Sequence, residues 1–317
     1  MSEIVHVSSL PDALAKSAER IDNGHTQPFL LSCIPPEELI QRLAEVRHGI
    51  FDFDDTLATG NQHEELRKFM PEETSAFDLE YLYWILGADK TFRGVRPQEF
   101  WWFDPDNHKS IQTAVIEAFF VGMNVGTMRA EHIDQQIVEQ VSAAMVAREG
   151  VPELFARLQH TCIITYGYED VVKMWAERSR IKTHVSGIRL AYDQNEKVAG
   201  AYPGSLIVGQ TKGFAAEEFR TKFGINHHGI LTIGDRPFDI EMFYDDPSAV
   251  NALIFSPNKA KERFDSFDIP ANRERWNRVT CVLVSDSLQP LVDMLPNSPA
   301  DDWPENEVTT PDRPPTS

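Results

Sequence analysis

Cysteine is scarce in this chain of 317 residues, which contains only Cys33, Cys162 and Cys281. The three are far apart and no CxxC spacing occurs. Neither a disulfide framework nor a cysteine-based metal site is therefore predicted. A reducing, cytoplasmic setting is expected.

Long hydrophobic runs are also missing, since no apolar stretch approaches the length that spans a bilayer. The opening MSEIVHVSSL lacks a basic start followed by an apolar stretch, so it is not expected to be a secretory signal. Hydrophobic residues nevertheless make up 42% of the chain. This content is enough for one large domain, or for a main domain with a smaller insertion.

Positive charge is in short supply, with 30 Lys and Arg against 49 Asp and Glu, a formal net charge of −19. Such a balance argues against nucleic acid or an anionic membrane as a partner. It also repels a phosphorylated substrate unless the binding site carries its own cations. The oligomeric state is not indicated by the sequence.

Hydrophobic periodicity divides the chain into four parts. After residue 149 short apolar runs alternate with helical patterns, which predicts an α/β fold with a doubly wound parallel sheet. Between residues 61 and 148 the pattern is helical, as expected for an inserted α-helical domain. The parts are an N-terminal helical extension (1–46), a catalytic core (47–60 and 149–295), a helical cap (61–148) and a disordered, acidic, Pro-rich tail (296–317).

Polar groups recur at the carboxyl ends of the predicted strands or at the start of the helix that follows, the edge where open α/β sheets bind ligands. Taken singly, each has a structural reading: turn chemistry, a buried threonine, a solvated lysine, a helix cap. The four stretches are FDFDDT with Asp52 and Asp54, IITYG with Thr165, QTKG with Lys212, and IGDRPFD with Asp235 and Asp239.

These stretches, in this order and with these elements between them, resemble the haloacid dehalogenase-like hydrolase superfamily over residues 47–260. The position of the helical insertion resembles a type 1 cap. The hairpin pattern IRLAYDQNEKVAGAY resembles the phosphoserine-phosphatase-like branch. The chain departs from that branch at TYGYED, where a Ser-rich stretch is expected, and phosphoserine itself is therefore not the expected substrate.

The resemblance implies a role for each motif residue. Asp52 is the expected nucleophile that forms an aspartyl-phosphate. Asp54 points the same way by strand alternation and is the expected general acid and base, with a second metal-site carboxylate as the alternative reading. The presence of Asp54 favours phosphoryl transfer over dehalogenation. The expected phosphate-binding residues are Thr165, Tyr166, Gly167 and Lys212.

A metal is implied by the same resemblance. A phosphate dianion beside Asp52 and Asp235 brings about four negative charges together, and pairs at roughly 4 Å repel by about 4 kcal/mol at an effective dielectric near 20. Lys212 supplies one compensating charge. The expected cofactor is Mg²⁺, held by the carboxylates of Asp52 and Asp235 and the backbone carbonyl of Asp54. Asp239 is expected to orient a metal-bound water or Lys212.

The resulting hypothesis is a Mg²⁺-dependent phosphatase for small phosphorylated metabolites. Three alternatives stay open: a phosphotransferase with the same aspartyl-phosphate, a non-catalytic regulatory protein that binds phosphate esters, and a structural partner that dimerises through its N-terminal extension. Candidate substrate contacts in the cap are Arg93, Arg96, His108 and Arg129. For each of these, solvated surface charge is the competing interpretation.

Overall fold

The computed structural model of the chain describes residues 3–25, 27–70, 106, 124–202, 205, 207, 211–225, 228–267 and 276–297. Most of the predicted cap and nearly all of the predicted tail lie outside these residues. So do the candidate cap residues Arg93, Arg96 and His108. Among the described residues, no helix is long and apolar enough to cross a membrane.

A central eight-stranded sheet organises the molecule. Its spatial order is β1-β2-β12-β11-β10-β3-β6-β7, and every neighbouring pair is parallel except β2 and β12. The doubly wound parallel sheet predicted from the alternation is therefore confirmed. The strands are β1 (Glu3–His6), β2 (Phe29–Ser32), β3 (His48–Phe51), β6 (His160–Tyr168), β7 (His184–Ile188), β10 (Ile230–Gly234), β11 (Val250–Phe255) and β12 (Cys281–Val284).

Both faces of this sheet are covered by apolar side chains. Strands β10, β11 and β12 are buried at every position, which explains their continuous apolar runs. Neighbouring residues on a strand enter opposite cores: Ile50 packs into one hydrophobic cluster and Phe51 into the other. Burial on both faces fixes the register and the position at which each strand ends.

Helices and short hairpins surround the sheet. Residues 124–130 are also helical. The antiparallel pairs are β4 (Ala58–Thr59) with β5 (Val146–Ala147) and β8 (Leu190–Tyr192) with β9 (Val198–Ala201). The helices are α1 (Leu10–Asp22), α2 (Pro36–Glu45), α3 (Gln62–Arg67), α4 (Gln135–Ala144), α5 (Val151–Ala156), α6 (Glu169–Arg178), α7 (Lys212–Lys222), α8 (Ala260–Phe267) and α9 (Gln289–Val292), with a 3-10 helix at Pro237–Met242.

The N-terminal region differs from the purely helical extension predicted for residues 1–46. Both helices form, but β1 and β2 are strands, and β2 joins the main sheet antiparallel to β12. A four-residue apolar run such as FLLS has no resolvable period, so its pairing with β12 decides its structure. Strand β7 was not predicted either, because its five residues, HVSGI, are also too few to show a period.

The strand order places a topological switch point beside β3. The chain leaves β3 toward β6 on one side, whereas β10 occupies the other side, with β11 and β12 beyond it. In open α/β sheets the crevice at such a point, at the carboxyl ends of the strands, binds ligands. The motif after β3 and the motif after β10 are therefore brought to the same crevice.

Candidate active site

Asp52 follows directly after β3. Its N–H donates to the carbonyl of Ile233 at 2.9 Å, which extends the ladder between β3 and β10 by one residue. The side chain is only 5% exposed, and the hydroxyl of Thr56 donates to its Oδ2 at 3.1 Å. The chain turns immediately afterwards, since the N–H groups of Leu57 and Ala58 both donate to the carbonyl of Phe53. The carboxylate is therefore held rigidly at the crevice.

Lys212, the first residue of α7, reaches the same point. Its Nζ lies 2.5 Å from Oδ1 of Asp52 and 2.6 Å from Oδ1 of Asp239, and the side chain is 3% exposed. Burial alone would lower the pKa of Lys212, but the charges of Asp239 and Asp52 outweigh it and raise the pKa. Lys212 is therefore a fixed cation facing the predicted nucleophile.

Asp239 organises the turn after β10. Its Oδ2 accepts from the N–H groups of Asp235 and Arg236 at 2.9 and 2.8 Å, while Oδ1 holds Lys212. Gly234 makes room for this carboxylate, because a Cβ there would stand 2.2 Å from Cβ of Asp239. Both oxygens of Asp239 are thus already engaged by protein groups, as suits a residue that orients Lys212.

The acidic residues of the crevice fit a divalent cation. Asp52, Asp235 and Asp239 each offer a carboxylate oxygen, all within 4.8 Å of one another and all buried. Carboxylate oxygens are the donors that Mg²⁺ prefers. Asp239 accepts three hydrogen bonds, two of them at Oδ2, whereas each oxygen of Asp52 accepts one and keeps a lone pair. Asp52 and Asp235 are therefore the carboxylates better suited to a metal.

Charge balance supports the same reading. Burial raises the pKa of Asp52, and the neighbouring charge of Asp239 raises it further despite Lys212. Two carboxylates face Lys212 and stabilise its charged form. Asp52, in contrast, has the negative charges of Asp239 and Asp54 near it as well as the positive charge of Lys212. A dication would relieve this excess of negative charge.

Asp54 lies two residues beyond Asp52, and among the described residues Gln62 holds its side chain. Gln62 donates its backbone N–H to Oδ1 at 2.7 Å and its side-chain Nε2 to Oδ2 at 2.9 Å. Burial raises the pKa of Asp54 to about 6, although these hydrogen bonds and Lys212 oppose the shift. Asp55 points elsewhere, to Lys259 at 2.7 Å.

Thr165, Tyr166 and Gly167 lie near the end of β6, within a register shift between Ile164 and Tyr168. Such irregularities are frequent beside active sites. Thr165 is fully buried and faces Gln62, whereas the ring of Tyr166 stands 5.9 Å from the ring of His63. Thr165 is therefore tied to Asp54 through Gln62, and Tyr166 belongs to a separate aromatic contact.

Two residues of the site were not anticipated from the sequence. Gln62 links Asp54 to Thr165. Arg148, 1% exposed, donates to the carbonyls of Asp55 (2.5 Å), Thr56 (2.9 Å) and Ser285 (2.8 Å), and so ties the loop after Asp52 to the end of β12. Neither lies in a motif, because Gln62 joins Asp54 to Thr165, 103 residues further along the chain, and the partners of Arg148 are likewise distant in sequence.

Of the candidate cap contacts, Arg129 lies within the described residues, half-buried in the helical stretch 124–130. His63, which precedes the predicted cap helices, packs against Tyr168 with ring centroids 5.3 Å apart. Burial lowers the pKa of His63 to about 4, and Arg67 and Arg236 lower it as well. The imidazole is therefore neutral at physiological pH.

Sequence comparison identifies a family. The profile of the haloacid dehalogenase-like hydrolases matches residues 50–243, more than half of the chain and all four motifs. Comparison with curated protein sequences finds no match.

Comparison with solved structures finds proteins that are similar to this chain. A HAD-family hydrolase from Salmonella enterica serovar Typhi has a TM-score of 0.52 at 13% identity, covering 81% of this chain and 74% of its own. A phospho-aspartyl intermediate analogue of phosphoserine phosphatase has a TM-score of 0.48 at 16% identity, covering 80% and 100%. Cytosolic 5′-nucleotidase IIIB bound to cytidine has a TM-score of 0.47 at 17% identity, covering 88% and 90%. At these identities the likeness concerns the fold.

Proposed function

The chain belongs to the haloacid dehalogenase-like hydrolases, and from this premise we propose that it is a Mg²⁺-dependent phosphatase acting on small phosphorylated metabolites. The observation that carries the proposal is the contact between Lys212 and Asp52, 2.5 Å apart and buried at the switch point of the sheet. A fixed cation beside a carboxylate that follows a strand suits attack on a phosphoryl group. A second carboxylate, Asp54, lies two residues further along the same loop.

The reaction proceeds in two displacements. Asp52 attacks phosphorus, and the ester P–O bond breaks as the aspartyl-phosphate forms. Asp54 gives its proton to the departing oxygen, so a neutral alcohol leaves. Asp54 then takes a proton from water as the water oxygen attacks phosphorus. The bond from phosphorus to Asp52 breaks, inorganic phosphate is released, and both carboxyl groups return to their starting states.

The remaining residues bind and orient the phosphoryl group. Lys212 neutralises charge on its oxygens and on Asp52, while the hydroxyl of Thr165 donates a hydrogen bond. The N–H groups of Gly167 and Tyr168, which follow Thr165, are already engaged by Thr165 and Gln62. The carboxylates of Asp52 and Asp235 and the carbonyl of Asp54 would hold Mg²⁺, with Asp239 fixing Lys212 behind them. Bound Mg²⁺ supplies positive charge that lets phosphate approach these carboxylates.

We also propose that residues 61–148 form an inserted cap that selects the substrate and excludes water. The pairing of Ala58 with Ala147 supports this proposal, because it brings the two ends of the insertion together next to the loop that follows Asp52. The cytoplasmic setting stays a prediction from the cysteine content.

The test is phosphate release from an aryl phosphate by purified protein with and without Mg²⁺. We expect metal-dependent turnover that Asp52→Asn lowers by roughly 10⁴-fold or more, the scale on which loss of a nucleophile acts. A matched control is Asp55→Asn, because Asp55 lies on the same loop and pairs with Lys259. Turnover retained in Asp52→Asn with an unchanged melting curve would reject the aspartyl-phosphate. Product analysis with added alcohols separates hydrolysis from transfer to another acceptor.

A further inference from the structure

Gln62 is fully buried, and every polar atom of its side chain is used. Nε2 donates to Oδ2 of Asp54 at 2.9 Å and to Oγ1 of Thr165 at 3.1 Å. Oε1 accepts from the N–H of Tyr168 at 2.8 Å. A glutamine amide has two donor hydrogens and one acceptor oxygen, so this environment satisfies both ends.

The contact with Tyr168 fixes which way the amide faces. A backbone N–H can only donate, so the amide oxygen must lie toward Tyr168. The NH₂ group must then face Asp54 and Thr165. Gln62 therefore donates a hydrogen bond to both residues and cannot accept one from either.

This orientation determines the direction of the Thr165 hydroxyl. Its oxygen accepts from Gln62 and also from the N–H of Gly167 at 2.9 Å. A hydroxyl oxygen has two lone pairs and a single proton, so two incoming donors leave only the proton for a further partner. Thr165 forms no hydrogen bond as a donor to another described residue. Its O–H is consequently available to an acceptor such as a phosphoryl oxygen.

Gly167 provides independent support. Its φ is not positive, so its backbone does not require glycine. A Cβ at this position would instead stand 1.9 Å from Nε2 of Gln62 and 2.0 Å from its Cδ. Glycine at 167 therefore leaves the space that the Gln62 amide occupies, a role different from the close approach of phosphate predicted for it.

From these contacts we infer that Gln62 is a positioning residue for the proposed phosphatase reaction. It directs the hydroxyl proton of Thr165 toward the bound phosphoryl group. Its two hydrogen bonds to Asp54 hold that carboxyl in place as well. The inference rests on the proposed function, because it assigns Thr165 to phosphate binding. Gln62 acts through these two residues and is not itself assigned a contact with substrate.

The experiment measures binding of inorganic phosphate, by calorimetry in saturating Mg²⁺, to the wild type and to the variants Gln62→Met and Gln62→Glu. Methionine keeps the volume but donates nothing, and we expect it to weaken phosphate binding about 10-fold, the scale of one hydrogen bond to a charged group. Glutamate is isosteric but would accept the Thr165 proton and repel phosphate. We expect it to weaken binding at least as much.

A double-mutant cycle separates positioning from mere packing. In a Thr165→Val background, Gln62→Met should lose most of its effect on phosphate binding, because the hydroxyl it directs is gone. Thermal melts report folding of every variant. Gln135→Met is the matched control, since Gln135 likewise opens a helix but its N–H donates to the carbonyl of Glu196, beside the β8–β9 hairpin, and its phosphate binding should equal that of the wild type.

Each outcome is decisive. Wild-type phosphate affinity in folded Gln62→Glu, or full additivity with Thr165→Val, overturns the inference. If the wild type binds phosphate but hydrolyses no ester, the proposed function fails while the cycle still tests Gln62. If the wild type does not bind phosphate at all, both are overturned.

Discussion

The carboxyl and amino edges of the central sheet, where its parallel strands end and begin, differ in the ionisable side chains that they bury. At the carboxyl edge Lys212 contacts Asp52 and Asp239, and the carboxylates of Asp52, Asp235 and Asp239 approach within 4.8 Å of one another. The loop that follows Asp52 adds three more buried charged side chains, those of Asp54, Asp55 and its partner Arg148. At the amino edge, His48 and His160 stack with ring centroids 5.3 Å apart. Burial lowers the pKa of both imidazoles, that of His48 to about 4, so this edge carries neutral rings at physiological pH.

This difference distinguishes a site from a structural edge. Burying charges costs more than neutral packing unless partners compensate, and among the described residues five buried carboxylates at this edge are accompanied by two buried cations, Lys212 and Arg148. A sequence that avoids buried charge at one edge and concentrates it at the other indicates chemistry at the second.

The amino edge combines a cavity with charged side chains that are not buried. The amino edge borders an open cavity of about 600 Å³ between the N-terminal region and the core, lined by residues that include Cys33, Tyr244 and Trp276. Its charged side chains, Arg42 and Arg278 among them, are all partly exposed. The two edges therefore differ in buried charge, which is concentrated at the carboxyl edge where the active site is proposed.

The largest expected effect on stability comes from removing the cation of the carboxyl edge. In metal-free protein, Lys212→Met leaves Asp52 and Asp239 without their ammonium partner. The free energy of unfolding should fall by about 3–5 kcal/mol. The control is Lys259→Met, whose partly exposed pair with Asp55 should contribute about 1 kcal/mol or less. Urea denaturation with a chelator measures both, and equal losses would remove the contrast between buried and exposed pairs.

Arg148→Met tests the tie between the catalytic loop and β12. Three buried backbone carbonyls lose their donor, so we expect a loss of about 3 kcal/mol in unfolding free energy and slower turnover in the protein that remains folded. Arg157, half-buried with one bond to the carbonyl of Leu295, is the control. Its change to methionine should cost about 1 kcal/mol, and a similar loss at both arginines would contradict this account.

Asp54→Asn sharpens the division of labour within the carboxyl edge. Turnover of alkyl phosphates, which leave poorly, should fall about 100-fold or more, because the departing oxygen receives no proton. Aryl phosphates with good leaving groups should suffer less. Steady-state kinetics with both substrate types decides the matter, and an equal loss for both would argue for a metal-site role for Asp54.

The smallest effect is expected at the amino edge. Because the pKa of His48 is lowered in the folded state, its contribution to stability is present above pH 6.5 and is lost as the pH falls toward 4. Between pH 6.5 and 4, the free energy of unfolding of His48→Phe should therefore fall less than that of the wild type, by on the order of 1 kcal/mol. This figure allows for the screening of a half-buried ring. The control is the same change at His228, an exposed position. Identical pH profiles of unfolding for the two variants would exclude His48 as the source of the acid-side loss.

Much of the core was predictable because its signal is local. The apolar run in GILTIGD predicts β10, and the polar turn in IRLAYDQNEKVAGAY predicts the β8–β9 hairpin. Strands β1 and β2 were missed, because four residues carry no period and the neighbouring strand settles their state. The predicted helix after Asp235 forms as a short 3-10 helix, shaped by the bonds that Asp239 makes to the turn.

The order and spacing of Asp52, Asp54, Lys212 and Asp235 were readable in one dimension, since strand alternation and the geometry of parallel sheets carry such residues to one crevice. Gln62 and Arg148 were not readable in this way. Their partners come from segments far apart in the chain, and only packing of the folded backbone brings donor and acceptor together. Local rules thus identified the chemistry, whereas the folded chain decided which neutral and cationic side chains hold it in place.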